Sequence, residues 1–317
     1  MKIHRFQPAE YHPTLGSHPP VLEIENGGRV ITSTVDNMGR DAADREITAP
    51  GNPQTGPFYL CGAEPGDTLA VTFERITPNR PTGRTRGRIA PHVLDPGYLE
   101  ASSGADGGGG GEVELLEWRI DVEAWNASLL SPEFPSGRLI LPLDPMVGCF
   151  GTAPPKGQAI AASTAGPYGG NMDYRGFRAG TTVYLPVFVQ GALFHLGDVH
   201  ALQGDGEITG TGIEVSAEVE FTLRLIEGRS VSGPRAEDRD WILTAGNARP
   251  LAQALQEATT EMLRWLIELG LEEKQAHILM GQCVQYEVGN VFDPAYTMIC
   301  RLGKSLLADV GLEQPWM

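Results

Sequence analysis

Hydrophobic and polar residues alternate along most of the chain with the period of two that is typical of half-buried β-strands. Segments rich in glycine and proline separate these runs, for example at residues 52–57 and 62–67. The pattern predicts a mainly β fold of the β-sandwich or barrel-like kind. The runs of strand length lie at residues 21–25, 29–36, 58–61, 68–74, 112–122, 182–189 and 213–225.

The pattern changes after about residue 247, where apolar residues recur at helical spacing. Pro250 can open a helix, the apolar positions continue to Leu269, and Gly270 can end it. A second amphipathic segment spans residues 271–284. We therefore expect a β-rich region at residues 1–245 that carries the polar site. A C-terminal α+β portion at residues 246–317 should pack on it, so that the two form one compact unit.

Composition narrows the class of protein. Of the 317 residues 41% are hydrophobic, and 40 glycines and 24 prolines fit a folded chain with many turns. The formal net charge of −16 argues against nucleic acid or an anionic membrane as a partner. The four cysteines are far apart and form no Cys-x-x-Cys pair, which disfavours a thiolate zinc site or a disulfide framework. Without an apolar N-terminal segment or an apolar run of membrane-spanning length, we expect a cytoplasmic location.

Residues 193–214 form a glycine-rich polar stretch between the apolar runs at 182–189 and 213–225. In extended chain, Asp198 and His200 would lie on one face. A carboxylate beside an imidazole suits a divalent metal, or a general base with an orienting partner. The alternative is an acidic hairpin whose charges face water. The stretch contains His195, Asp198, His200, Gln203, Asp205, Glu207 and Glu214.

Other positions carry candidate chemistry, each with a structural alternative. Asp36 ends a predicted strand, where an acid can be a ligand or a turn former. Asn171 and Asp173 close a glycine-rich loop that could bind an oxyanion through its N–H groups, or that is only a turn. Cys149 is a candidate nucleophile, with Lys156 seven residues on, or a small buried residue.

Two remaining segments are interpreted more simply. We expect His12 and His18, in a proline-rich N-terminal arm, to be surface residues rather than ligands. The run at residues 102–111, with five successive glycines, predicts a mobile surface loop or lid. Motifs of serine hydrolases, P-loop proteins and zincins do not occur in the sequence.

Several blocks together resemble the acetamidase/formamidase family. The most specific is residues 197–207, Gly-Asp-Val-His-Ala-Leu-Gln-Gly-Asp-Gly-Glu, followed by Glu214. The blocks occur in the family's order and cover nearly the whole chain. The chain departs from the family pattern at Val199, where a glycine is common, and at Cys61, where an acid is common, and both changes bear on substrate range. The other blocks are residues 33–36 (Ser-Thr-Val-Asp), 52–57 (Asn-Pro-Gln-Thr-Gly-Pro), 62–67 (Gly-Ala-Glu-Pro-Gly-Asp), 148–154 (Gly-Cys-Phe-Gly-Thr-Ala-Pro) and 169–173 (Gly-Gly-Asn-Met-Asp).

The resemblance implies hydrolysis of a short linear amide, such as formamide or acetamide, to a carboxylate and ammonia. It also implies a β-rich fold with helices toward the C-terminus and a homo-oligomer, dimeric or higher. A bound divalent metal is implied as well, zinc first and calcium as a second option.

We hypothesise that Glu207 takes a proton from water activated by this metal and later protonates the leaving ammonia. Asp205 is a second candidate catalytic acid, and the Asn171 amide helps to hold the oxyanion. The predicted metal ligands are Asp36, Asp198 and His200, with Asp173 and Glu214 close by.

Three alternatives stay open at this point. The first is a cysteine-dependent amidase that uses Cys149 with an acid and Lys156. The second is a non-catalytic protein with a metal-stabilised β scaffold that binds a small ligand. The third is an acidic turn that binds calcium for structural reasons alone.

Overall fold

The computed structural model describes residues 2–102 and 114–312. Apart from its first residue, the glycine-rich loop predicted at residues 102–111 lies outside this part of the chain. The helices are α1 Pro96–Ser102, α2 Leu251–Glu268, α3 Glu273–Cys283 and α4 Lys304–Asp309. The strands are β1 Ile3–Phe6, β2 Thr14–Leu15, β3 Leu22–Ile24, β4 Arg29–Ser33, β5 Thr55–Leu60, β6 Thr68–Pro78, β7 Thr82–Arg86, β8 Leu115–Asp121, β9 Asn126–Leu129, β10 Ile140–Pro142, β11 Met146–Gly151, β12 Ile160–Ala161, β13 Ala165–Gly166, β14 Gly169–Asn171, β15 Thr182–Pro186, β16 Phe194–His200, β17 Ala217–Ile226, β18 Arg235–Glu237, β19 Trp241–Ala248, β20 Gln285–Asn290 and β21 Tyr296–Gly303.

Two sheets dominate the fold. The first has nine strands in the order β1-β4-β17-β6-β15-β18-β19-β21-β20. The second has six strands in the order β13-β14-β11-β16-β5-β3. A four-stranded sheet, β10-β9-β8-β7, and the short pair β12-β2 complete the strand pairing. The prediction of a mainly β fold with a C-terminal α+β portion is confirmed.

The main core is built from side chains of both large sheets. Phe73 and Phe221 of the nine-stranded sheet pack with Phe58, Phe150 and Phe194 of the six-stranded sheet. The ring centroids of Phe73 and Phe150 are 5.1 Å apart, in the edge-to-face arrangement that aromatic pairs favour. This shared core fixes the six-stranded sheet, and with it the polar side chains at the end of β16.

The polar stretch differs from the predicted strand, turn and strand in one respect. Its first part is itself a strand, β16, in which all seven residues are buried. The flanking apolar runs form β15 and β17, and both belong to the other large sheet. The turn therefore begins only after His200 and carries the chain from one sheet to the other.

The C-terminal helices form a third layer outside the nine-stranded sheet. Helix α2 runs from Leu251 to Glu268, close to the predicted 251–269, and the next residue but one, Gly270, has a φ of +112°. Its apolar face, including Met262 and Trp265, packs on Ile242 and Leu302 of the sheet. The predicted boundary between residues 245 and 246 falls within strand β19, which spans residues 241–248. The division into these two regions stays a prediction. No helix in the described ranges is both long and apolar enough to cross a membrane.

Alanine at Gly246 should destabilise the fold. Helix α2 lies so close to β19 that a Cβ at Gly246 would stand 1.9 Å from the Ala254 carbonyl oxygen and 2.7 Å from the Ala258 nitrogen. Because backbone atoms cannot yield as a side chain does, we expect a loss of about 1–3 kcal/mol or more in the free energy of unfolding. Urea unfolding followed by circular dichroism measures it. Gly233→Ala is the control, since a Cβ there meets nothing within 4 Å. Equal midpoints for the two variants would mean that α2 can move away without loss.

Candidate metal and catalytic site

The end of β16 brings a cluster of acids to one histidine. Asp198 and His200 are two residues apart on this strand, and Glu214 pairs with His200 through an isolated bridge. The His200 Nε2 atom lies 3.0 Å from Glu214 Oε1 and 3.4 Å from Asp198 Oδ1. Asp173 and Glu207 form a second group with the same histidine, with ligand atoms within 4.8 Å of one another. Five of the predicted residues therefore meet in one buried place.

Gln203 determines which nitrogen of His200 faces the acids. The Gln203 amide nitrogen donates to the carbonyl oxygens of Asp173 and Gly289, so its Oε1 is the acceptor for His200 Nδ1 at 2.8 Å. An acceptor at Nδ1 requires a proton there, and in neutral imidazole this leaves a lone pair on Nε2. Nε2 is thus the atom that faces Glu214 and Asp198, as a lone pair in the neutral ring or as a donor in the protonated ring.

Four buried atoms around this point have no hydrogen-bond partner in the described part of the chain: Asp173 Oδ1, Asp198 Oδ1, His200 Nε2 and Glu214 Oε2. Buried polar atoms without partners are costly. Carboxylate oxygens and an imidazole nitrogen are ligands that suit a divalent cation of the zinc type. The donor set therefore fits a metal. Since His200 Nε2 lies 3.0 Å from Glu214 and 3.4 Å from Asp198, the group formed by Asp198, His200 and Glu214 fits it best.

Burial and mutual repulsion shift the titration of these acids. Burial raises the pKa of Glu214 to about 8, and the nearby His200 opposes the shift. Burial likewise raises the pKa of Glu207 and that of Asp173 well above the usual range, with neighbouring carboxylates adding to the effect. Burial alone would lower the pKa of His200, but Glu214 and Asp198 raise it well above its usual value. Each shift reduces the net negative charge of this cluster.

Several site residues have left-handed backbone conformations. The φ angles of Asn52, Asp173, Asp198 and Glu207 are 54°, 42°, 57° and 44°. Non-glycine residues adopt such angles at a cost, and they cluster at functional sites where the surrounding structure holds them. Gly148 permits the close approach, because a Cβ there would stand 2.3 Å from Asp173 Oδ1.

Two of the predicted site residues have arginine partners and lie outside the two groups around His200. Asp36 is buried, but Arg80 Nη2 donates to one of its oxygens at 2.8 Å, and the N–H groups of Met38 and Arg40 donate to the other. Asp205 is half exposed and ion-paired with Arg175 at 2.8 Å. Neither residue belongs to the two groups around His200.

Asn171 joins the cluster as the centre of a hydrogen-bond network. Its amide nitrogen donates to Asp173 Oδ2 and to Asp293 Oδ2, each at 2.6 Å. The Asn52 side-chain nitrogen, Nδ2, donates to the Asn171 side-chain oxygen at 2.9 Å and to Asp198 Oδ2 at 3.0 Å. Both amide hydrogens of Asn171 are therefore already engaged by carboxylates.

Asn52 and Asp293 were not among the residues predicted from the sequence. Asn52 lies in the Asn-Pro-Gln turn, and an asparagine before proline signals a turn but no particular partner. Asp293 lies between β20 and β21, more than a hundred residues from Asn171 in the chain, and burial raises its pKa to about 6. No local pattern marks it.

Cys149 and the N-terminal histidines have other surroundings. The Cys149 thiol is buried and donates to the Ala162 carbonyl oxygen at 3.2 Å. Burial, and then Asp198 and Asp173, raise the pKa of this thiol well above its usual value. His12 and His18 are half-buried and stack on each other with ring centroids 3.9 Å apart, next to His195.

A β-rich fold with a buried carboxylate–histidine centre defines a protein with a candidate metal-dependent site. The family model for the acetamidase/formamidase family matches residues 139–302, just over half of the chain. The chain belongs to this family.

Relatives and solved structures agree with this assignment. An acetamidase from Yersinia enterocolitica superposes with a TM-score of 0.81 and 31% identity, over 96% of this chain and 93% of that one. An acetamidase from Mycolicibacterium smegmatis is 44% identical over 77 residues, which are 22% of this chain and 19% of that protein. A relative from Schizosaccharomyces pombe is 28% identical over 214 residues, or 55% of this chain and 51% of that protein. The match thus spans about half the length of the Schizosaccharomyces pombe relative and about a fifth of the Mycolicibacterium smegmatis acetamidase.

Proposed function

We propose that the protein hydrolyses a short linear amide to a carboxylate and ammonia. The observation that carries the proposal is the convergence of unpartnered buried atoms of Asp198, His200 and Glu214 in a member of this family. Relatives named acetamidase and formamidase support the reaction class. Among short amides, we propose formamide- and acetamide-like compounds as the starting panel.

The residues that would hold a divalent metal in this proposal are Asp198, His200 and Glu214. A bound divalent ion would supply a Lewis acid for the amide carbonyl and lower the pKa of water. Zinc is our first choice because imidazole and carboxylate ligands suit it, and calcium is the second. Asp36 is no longer proposed as a ligand, because Arg80 and two backbone N–H groups already engage its carboxylate.

Glu207 is the proposed proton carrier. It is buried beside Asp173 and His200 and is not needed for the group around Nε2. Water adds to the carbonyl carbon as one proton passes to Glu207, the C–N bond breaks, and Glu207 returns the proton to the departing nitrogen. Asn171 is proposed to position Asp173 rather than to hold the oxyanion, because carboxylates take both of its amide hydrogens. Asp205 has no catalytic role in this proposal.

The cysteine-dependent alternative receives little support from the surroundings of Cys149. A nucleophilic cysteine needs its thiolate form, which a cationic neighbour or an exposed site favours. Cys149 is buried, with carboxylates nearby that raise its pKa. The homo-oligomer and the cytoplasmic location stay predictions.

Removal of metal should abolish activity. We expect the protein as purified to release ammonia from at least one short amide, to lose this activity after dialysis against a chelator, and to regain it with zinc. The measurement is ammonia release from formamide, acetamide and longer amides, together with metal content.

The controls separate the remaining alternatives. Activity that survives the chelator but not a thiol-alkylating reagent would contradict the proposal in favour of Cys149. A metallated protein that releases ammonia from no amide would point to a binding protein or to a structural ion, and a chelator-induced loss of melting temperature would identify the latter.

A further inference from the structure

A small pocket on the side of β7 reaches Glu214, the one residue of the His200 groups that lines it. Its volume is about 200 Å³, less than the roughly 300–1,000 Å³ of pockets for drug-sized ligands, so it suits a small substrate. Carboxylates of the interior and arginines of β7 both line it, together with two partly exposed apolar side chains. We call it the arginine pocket, and its main lining residues are Asp36, Met38, Arg84, Arg86, Leu115 and Glu214.

The two arginines of this pocket differ in their ion pairs within the described part of the chain. Arg84 forms two hydrogen bonds of 2.8 Å with the Asp44 carboxylate, so its charge is balanced. Within the described ranges, no carboxylate lies within 4 Å of the Arg86 guanidinium. In a protein with a formal net charge of −16, a half-buried arginine without an ion pair to any acid of residues 2–102 and 114–312 is a candidate anion-binding group.

Arg86 is also held in place. Its backbone N–H donates to Thr211 Oγ1 at 2.8 Å, which ties the end of β7 to the turn that carries Glu207 and Glu214. Its guanidinium carbon lies 4.8 Å from the centroid of the Phe292 ring, the arrangement of a cation–π contact. Phe292 immediately precedes Asp293 of the hydrogen-bond network. A guanidinium fixed on one side by an aromatic ring can still donate to a planar anion from its edge.

The spacing along β7 gives the scale of the pocket. Arg84 exchanges backbone hydrogen bonds with Glu214, at 3.2 Å and 2.8 Å. Arg86 is two residues further along the strand and faces the same side, which places its Cα about 7 Å from that of Arg84. This spacing and the small volume of the pocket suit a ligand that is longer than acetamide but still short. The apolar side chains of Met38 and Leu115 line the same pocket and can contact methylene groups.

We propose that Arg86 is a specificity residue that binds a carboxylate at the far end of the substrate's acyl chain. The substrate class is then the monoamide of a short dicarboxylic acid, with the amide at the His200 centre and the carboxylate at Arg86. This inference rests on the proposed amide hydrolysis. The buried acids of the site would repel an anionic substrate, and the positive charge of Arg86 provides an attraction that offsets this repulsion.

Steady-state kinetics with paired substrates tests the proposal. Succinamate carries the carboxylate, succinamide is its neutral isostere, and malonamate and glutaramate vary the length. We expect the wild-type protein to prefer an anionic substrate. Arg86→Gln should lower kcat/KM for that substrate by about 10- to 100-fold, the range for a lost charge-assisted hydrogen bond. The kcat/KM for succinamide should stay nearly unchanged. Arg88→Gln, which removes a charge from an exposed neighbour, should change kcat/KM for neither substrate.

The outcomes separate this inference from the proposed function. If the wild-type protein prefers succinamide, or if Arg86→Gln lowers kcat/KM equally for both substrates, the proposed role of Arg86 is wrong while amide hydrolysis stands. If no amide is hydrolysed, the proposed function fails, and thermal stabilisation by succinate decides the binding role alone. Stabilisation of the wild-type protein that Arg86→Gln abolishes supports the carboxylate site, and no stabilisation overturns it.

Discussion

Glutamine in place of Glu207 should lower kcat by about 10²–10⁴-fold, the usual cost of removing a positioned general base. Glutamine keeps the shape of the side chain but cannot take a proton from water or return it to ammonia. Glu207 is buried near Asp173 and His200, beside the place where the proposal puts the reacting water. Metal content should stay at the wild-type level, because Asp198, His200 and Glu214 form their own group around His200 Nε2.

The measurement is kcat for the best short amide, together with metal per protein for each variant. Asp205→Asn is the matched control, two residues away in the same turn, since Asp205 is half exposed and paired with Arg175. We expect it to keep kcat within a few-fold of the wild-type value, in line with the small contribution of exposed ion pairs. If Glu207→Gln loses its metal, Glu207 is a ligand rather than a base. If Glu207→Gln retains full activity, the proton passes through another group.

The mainly β architecture was predictable because the period of two is a local property of the sequence. Thr182–Pro186 lies inside a predicted run, Ala217–Ile226 extends one residue beyond the run predicted at 213–225, and α2 begins at the residue after Pro250. The pairing of these elements was not predictable. The runs on either side of the polar stretch belong to one sheet, and the stretch itself supplies β16 to the other. Sheet membership depends on contacts between distant residues, which alternation does not encode.

The same limit applies to the site. Asp198 and His200 were predicted to lie on one face of a strand because they are two residues apart in the sequence. In the structure both lie beside Glu214. The surroundings of Asp36 and Asp205 could not be read from the sequence, because Arg80 and Arg175 are 44 and 30 residues away from them, respectively. An acid paired with arginine and an acid left without a partner look alike in a sequence.

Alanine in place of His200 should remove both metal and activity. His200 supplies the only nitrogen in the group with Asp198 and Glu214, and its Nε2 lies between their carboxylates. Without it, two buried acids remain, and they would take up protons rather than bind a metal firmly. We expect a loss larger than the roughly 10- to 100-fold that variants of outer-shell partners cost in metal affinity or activity. Metal titration, ammonia release and the melting temperature are measured on the same sample.

Gln203→Met keeps this prediction testable even if His200→Ala folds poorly. Gln203 accepts from His200 Nδ1 and so holds the ring with Nε2 toward the acids. Its loss should weaken metal affinity by about 10- to 100-fold without removing a ligand, so that added metal restores activity. Activity that no metal concentration restores would contradict this positioning role. A His200→Ala protein that is folded, fully metallated and active would show that the cation is held elsewhere, because a ligand cannot be removed without a loss of affinity.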